Sequence, residues 1–99
     1  MIRHISVFTL ENKEELPLLK SLLEETAQNC PLIKSSQIGE NITTPPKENL
    51  KGPDFGDMVQ IINFDTVKDA NAYPASEAHR YLFKNSPKMK KVTAIDFEF

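Results

Sequence analysis

Two short stretches of this chain are apolar on both sides of an extended backbone, and that limits what it can fold into. In Met58 to Phe64, MVQIINF, the residues Met58, Gln60, Ile62 and Phe64 alternate with Val59, Ile61 and Asn63. In Ile2 to Leu10, IRHISVFTL, Phe8 and Leu10 fall on one parity and Ile5 and Val7 on the other. Strand side chains point alternately to the two faces of a sheet, and a sheet wetted on one side alternates cleanly between apolar and polar. These strands do not, so both faces of their sheet need cover.

The rest of the chain supplies cover for one face only. Asn12 can cap a helix, Glu14 and Glu15 lie near its positive end, and Leu16, Leu19, Leu22 and Leu23 mark one helical side running towards Ala27. Pro17 is tolerated in the first turns, and Asn29-Cys30-Pro31 stops the helix. Ile33 to Glu40 reads as a weaker, polar strand that Gly39 is expected to bend or bulge. Asn41 to Asp57, with Pro45, Pro46, Gly52, Pro53 and Gly56, reads as a long loop. Thr66 or Asp65 can cap a short helix ending near Tyr73-Pro74, and Ser76 can cap a second from Glu77 to Lys84. Lys91 to Phe97 closes as the last strand. The order β-α-β-β-α-β predicts a ferredoxin-like α+β fold, a four-stranded antiparallel sheet with helices on one face. A second copy of the chain, packed by two-fold symmetry, is then the simplest cover for the other face.

With 99 residues the chain makes one domain. Its net charge of −2, with Lys and Arg scattered, argues against nucleic acid, which selects a basic face. The apolar runs are too short to cross a membrane, and MIRHISVF has no signal-peptide architecture. A single cysteine, Cys30, cannot form an internal disulfide; it fits a reducing cytoplasm and reads as a small buried hydrophobe.

Three pieces of the sequence resemble the stress-responsive A/B-barrel domain (Dabb) family of dimeric α+β barrels. They are Met1-Ile2-Arg3-His4-Ile5, the block Tyr73, Pro74, Ala78 and His79, and the ending Ile95-Asp96-Phe97; these markers run from residue 1 to 97, so the resemblance implies one such domain over residues 1–99. The resemblance implies the fold and a homodimer more firmly than a reaction. One branch, similar to plant polyketide cyclases, works in a pocket between sheet and helices, where histidines and a tyrosine catalyse an intramolecular aldol condensation. Carried across, its residues match His4, Tyr73 and His79; a further histidine of that branch falls on Met58 here.

The residues permit that chemistry on their own terms. If Ser76 is the N-cap, His79 sits beside the positive end of the helix dipole, which favours the neutral ring and its use as a general base. Asp96, within an apolar strand, is expected to hold one nitrogen of His79, and Tyr73 to polarise a carbonyl or position a hydroxyl. The competing reading makes His79 and Asp96 a buried structural pair, His4 a core residue and Tyr73 a packing anchor. His4 and His79 have no local ligand spacing, so neither a metal nor a cofactor is expected. The expected function is a homodimer that binds a small apolar ligand in a sheet–helix cavity, the alternative a cofactor-independent cyclase or aldol-type enzyme with His79 as base. The cavity discriminates: a purely structural protein would fill it with Phe8, Met58 and Phe83.

Overall fold

The computed structural model describes residues 1–44 and 54–99. Its elements follow in the order β1 (Ile2–Leu10), α1 (Leu16–Asn29), β2 (Ser35–Glu40), β3 (Met58–Phe64), α2 (Val67–Ala72), α3 (Glu77–Asn85) and β4 (Met89–Glu98). The four strands form one antiparallel sheet in the order β2-β3-β1-β4, the ferredoxin-like arrangement. No helix among the described residues is long and apolar enough to cross a membrane.

Local chemistry explains the boundaries. Asn12 accepts the Glu14 N–H at 3.0 Å, but it caps a single 3-10 turn, Lys13–Glu15, ahead of α1. Thr66 accepts the Asp69 N–H at 3.1 Å and starts α2. Leu19 and Leu23 are fully buried, and each contributes about 1.5–3 kcal/mol through its burial. They pack with Phe8, Leu10 and Met58 at one end of the sheet, while Ile2, Cys30, Ile62, Phe64 and Tyr73 form a second cluster at the other.

Two details depart from the sequence reading. Gly39 neither bends nor bulges its strand; it pairs in register with Val59, and β2 begins at Ser35. The bulge lies on β4 instead. Thr9 pairs with Lys91 and Leu10 with Met89, so Lys90 is left over. An extra residue reverses strand parity, and this one places Met89 on the helix side, the same side as Val92, Ala94 and Asp96. The loop expected from Asn41 to Asp57 includes Pro45, Pro46, Gly52 and Pro53, which lie outside the described residues. Its two ends meet, since the Asn41 N–H donates to the Asp57 carbonyl at 2.9 Å.

Asp57 also ties β1 down. Its buried carboxylate accepts the Leu10 N–H at 2.8 Å beside the bulge, and Lys13 lies 3.6 Å from its other oxygen. Asp57→Ala leaves a buried N–H without that acceptor and is expected to cost about 1–3 kcal/mol. Asp57→Asn keeps an oxygen acceptor and should cost less. Urea unfolding of both variants checks this, and an Ala variant as stable as the parent would show that the bond carries nothing.

The face of the sheet away from the helices carries a row of isoleucines. Ile61 on β3, Ile5 on β1 and Ile95 on β4 stand directly opposite one another. Ile95 is 62% exposed and Phe97 40% exposed in the single chain. The two-sided apolar pattern of the strands is therefore real, and the helices cover one side of it.

Candidate functional site

The helix-facing side of β1, β3 and β4 meets α3 around an open cavity of about 280 Å3. Its walls are mostly apolar, with Phe8, Leu19, Leu82, Met89, Val92 and Ala94 among them; the polar lining residues are His4, Ser6, Gln60, Tyr73, His79 and Ser86. The side chains expected to close such a space do not. Phe8 forms a wall, Met58 is buried elsewhere in the core and Phe83 is 78% exposed.

One serine arranges two of the polar groups. Ser76 caps α3 by accepting the His79 N–H at 3.2 Å, and its hydroxyl donates to the Tyr73 carbonyl at 2.6 Å. The short turn Tyr73–Ala75 is thereby locked to the helix start. The Tyr73 and His79 rings meet edge to face with centroids 4.9 Å apart. Tyr73 also packs on Phe64 at 5.4 Å and on His4 at 6.1 Å.

Three of the four residues singled out from the sequence, His4, Tyr73 and His79, line one cavity. Asp96 is placed otherwise than expected. Its carboxylate accepts from Nδ1 of His4 at 2.6 Å, not from His79. The register is the reason: Asp96 stands directly across the β1–β4 ladder from His4, where opposed side chains are nearest neighbours. The other nitrogen of His4, Nε2, lies 2.7 Å from the Ser6 hydroxyl.

Ser6 and Gln60 were missed in the sequence. They oppose each other across β1 and β3, and both are buried. The available signal was parity, since a polar residue on the apolar face of a two-sided strand needs a partner or a pocket.

Two ionisations are displaced. Burial pushes the His79 pKa below its usual 6.5, the nearby Pro74 carbonyl works the other way, and charge on His4 lowers it further. The neutral ring expected from the sequence follows, with burial as the leading cause. Burial, with a smaller contribution from Cys30, raises the Tyr73 phenol well above its ordinary range, so it keeps its proton and can donate. For His79 the unfolded chain binds a proton more tightly than the folded one. Stability is therefore expected to fall as pH drops from about 6.5 through the lower folded value. Melting temperature followed from about pH 7 to 5 should decline less steeply in His79→Gln than in the parent. Identical slopes would place the His79 ring in water.

No family model matches the chain, and no curated protein matches it in sequence. Solved structures match in fold. A dimeric ferredoxin-like protein of unknown function from Thermobifida fusca superimposes with a TM-score of 0.75 at 19% identity, covering 99% of this chain and 90% of that one. A Dabb family protein with a ferredoxin-like fold from Mesorhizobium loti gives 0.72 at 18% identity, over 99% of this chain and 95% of its own. A hydroxynitrile lyase from Passiflora edulis gives 0.75 at 14% identity, over 97% of this chain and 90% of its own. At such identities the fold is what is shared, and the chain adopts the ferredoxin-like fold of these proteins.

Proposed function

We propose that this chain is a homodimeric protein of the Dabb type, a single domain over residues 1–99, that binds a small apolar ligand in the cavity between sheet and helices. The observation that carries this reading is the cavity itself, open, apolar-walled and set with a few convergent polar groups, which is the usual form of a small-molecule site. A ligand with an apolar body and one carbonyl or hydroxyl suits it, because Tyr73 is a donor and His79 a neutral acceptor. The matching sequence blocks at His4, Tyr73 to His79 and Asp96 support the family, together with the fold of the Mesorhizobium loti protein. The isoleucine row on the open face supports the homodimer, and the Thermobifida fusca neighbour is described as dimeric. The lone reduced cysteine supports a cytoplasmic setting.

A second reading rests on one further observation. His79 is held neutral and packed on Tyr73 within the cavity, the arrangement of a base beside a proton donor. That suits a cofactor-independent reaction of the cyclase or aldol type, with His79 removing a proton next to a carbonyl that Tyr73 polarises.

Binding of 1-anilinonaphthalene-8-sulfonate, followed by its fluorescence, tests the cavity. Ala94 lies in its wall on β4, and Ala94→Phe places a ring into the space. The parent is expected to bind the dye and Ala94→Phe to bind it about tenfold more weakly, a loss of about 1.4 kcal/mol. Equal binding by a folded Ala94→Phe would mean that the dye sits elsewhere and that the cavity is no ligand site.

A further inference from the structure

Asp96, His4 and Ser6 form a continuous chain of hydrogen bonds that neither reading of the cavity uses. Asp96 Oδ1 and His4 Nδ1 are 2.6 Å apart, and His4 Nε2 and Ser6 Oγ are 2.7 Å apart. The sheet fixes this order. His4 and Ser6 are two residues apart on β1 and face the same way, and Asp96 stands opposite His4 on β4. The protonation pattern follows from the ends of the chain. An ionised carboxylate only accepts, so Nδ1 carries the ring proton; Nε2 of the neutral ring then only accepts, and the Ser6 hydroxyl donates to it. A serine whose proton points at an imidazole oriented by a carboxylate is an activated nucleophile.

We propose that Ser6 is a nucleophile for acyl transfer, with His4 as its base and Asp96 positioning the ring, and that the cavity takes esters or thioesters of small apolar acids. Ser6 lines the cavity that would hold the acyl group, and the walls there are mostly apolar, with no lysine or arginine among the described lining residues to receive a charged acid. Gln60 stands opposite Ser6 on β3 and lines the same space. Among the described residues its amide nitrogen reaches the Ser36 hydroxyl at a long 3.5 Å, a weak bond that can be exchanged for one to an oxyanion.

In the first half-reaction the Ser6 oxygen bonds to the acyl carbon and the carbonyl electron pair moves onto oxygen. The Ser6 proton passes to His4 Nε2. The tetrahedral species collapses, the bond to the leaving oxygen or sulfur breaks, and His4 gives that atom its proton. Water then attacks the Ser6 ester, losing a proton to His4. The Ser6–acyl bond breaks, the acid leaves and Ser6 regains its proton from His4. The sum is ester plus water to acid plus alcohol, or to thiol from a thioester.

The proposal rests on the cavity being open to ligands but not on His79. It is tested by treating the folded protein with a short-chain alkyl fluorophosphonate and reading the intact mass, with dye binding measured in parallel. One adduct per chain, with fluoride lost, is expected on the peptide holding Ser6. It should be absent in Ser6→Ala, and labelling should slow by about 100-fold or more in His4→Gln and in Asp96→Asn. Hydrolysis of 4-nitrophenyl butyrate should fall in the same order. An unlabelled parent that still binds the dye overturns the nucleophile and leaves the ligand site standing. An adduct that persists in Ser6→Ala, or forms at an unchanged rate in His4→Gln, overturns it as well. A parent that neither labels nor binds the dye overturns both readings together.

Discussion

Ile5→Lys is expected to break the proposed dimer into single chains of 11.2 kDa. Ile5 is the middle of the row Gln37–Ile61–Ile5–Ile95 across the open face, with Val59 and Val7 paired in the next row. In a two-fold packing of sheet on sheet this centre is buried against its own copy, so one substitution acts twice. An ammonium placed there without a partner costs several kcal/mol, and about 4 kcal/mol corresponds to roughly a thousandfold weaker association. Gln37→Lys, at the polar end of the same row, is the control and should leave the dimer intact. Light scattering behind size exclusion measures the mass directly. A parent that runs as a monomer would remove the homodimer, and an Ile5→Lys protein that remains dimeric would move its interface off this face; either result removes this account of the two-sided strands.

The strands that were apolar on both parities were legible because a period of two is a local property. MVQIINF became β3 with the expected bounds. The caps at Thr66 and Ser76 were legible for the same reason, since a cap acts over three or four residues, whereas Asn12 caps a 3-10 turn and not the helix expected to follow it. His4, Tyr73 and His79 line one cavity. What escaped depended on register. Whether Asp96 meets His79 or His4 is decided by how β4 slides along β1, and the bulge at Lys90 that sets Met89 into the cavity has no residue signature of its own. Ser6 and Gln60 were passed over because each looks like an ordinary polar residue until the ladder sets them face to face. The buried role of Asp57 was hidden in the same way, as its partner Leu10 is far away in sequence.

Tyr73→Ala is expected to destabilise the chain by about 3–5 kcal/mol, the range for truncating a buried aromatic ring, whereas Tyr73→Phe should change stability by less than about 1.5 kcal/mol. The ring is 4% exposed and stands where Phe64, His4 and His79 converge, so its removal empties the space that orients both histidines. The hydroxyl is a separate matter. It keeps its proton because burial disfavours the phenolate, and a protonated phenol beside a cavity has value only to a ligand that accepts a hydrogen bond. The two substitutions thus divide packing from chemistry. Urea unfolding should find Tyr73→Phe close to the parent, and any turnover of a carbonyl substrate through His79 should still fall, by about 10–100-fold for one neutral hydrogen bond worth about 1.5–3 kcal/mol at the reacting oxygen. If Tyr73→Phe unfolds as readily as Tyr73→Ala, the hydroxyl belongs to the core rather than to a ligand. Turnover unchanged in a stable Tyr73→Phe would leave Tyr73 as the wall of the site and His79 without its donor.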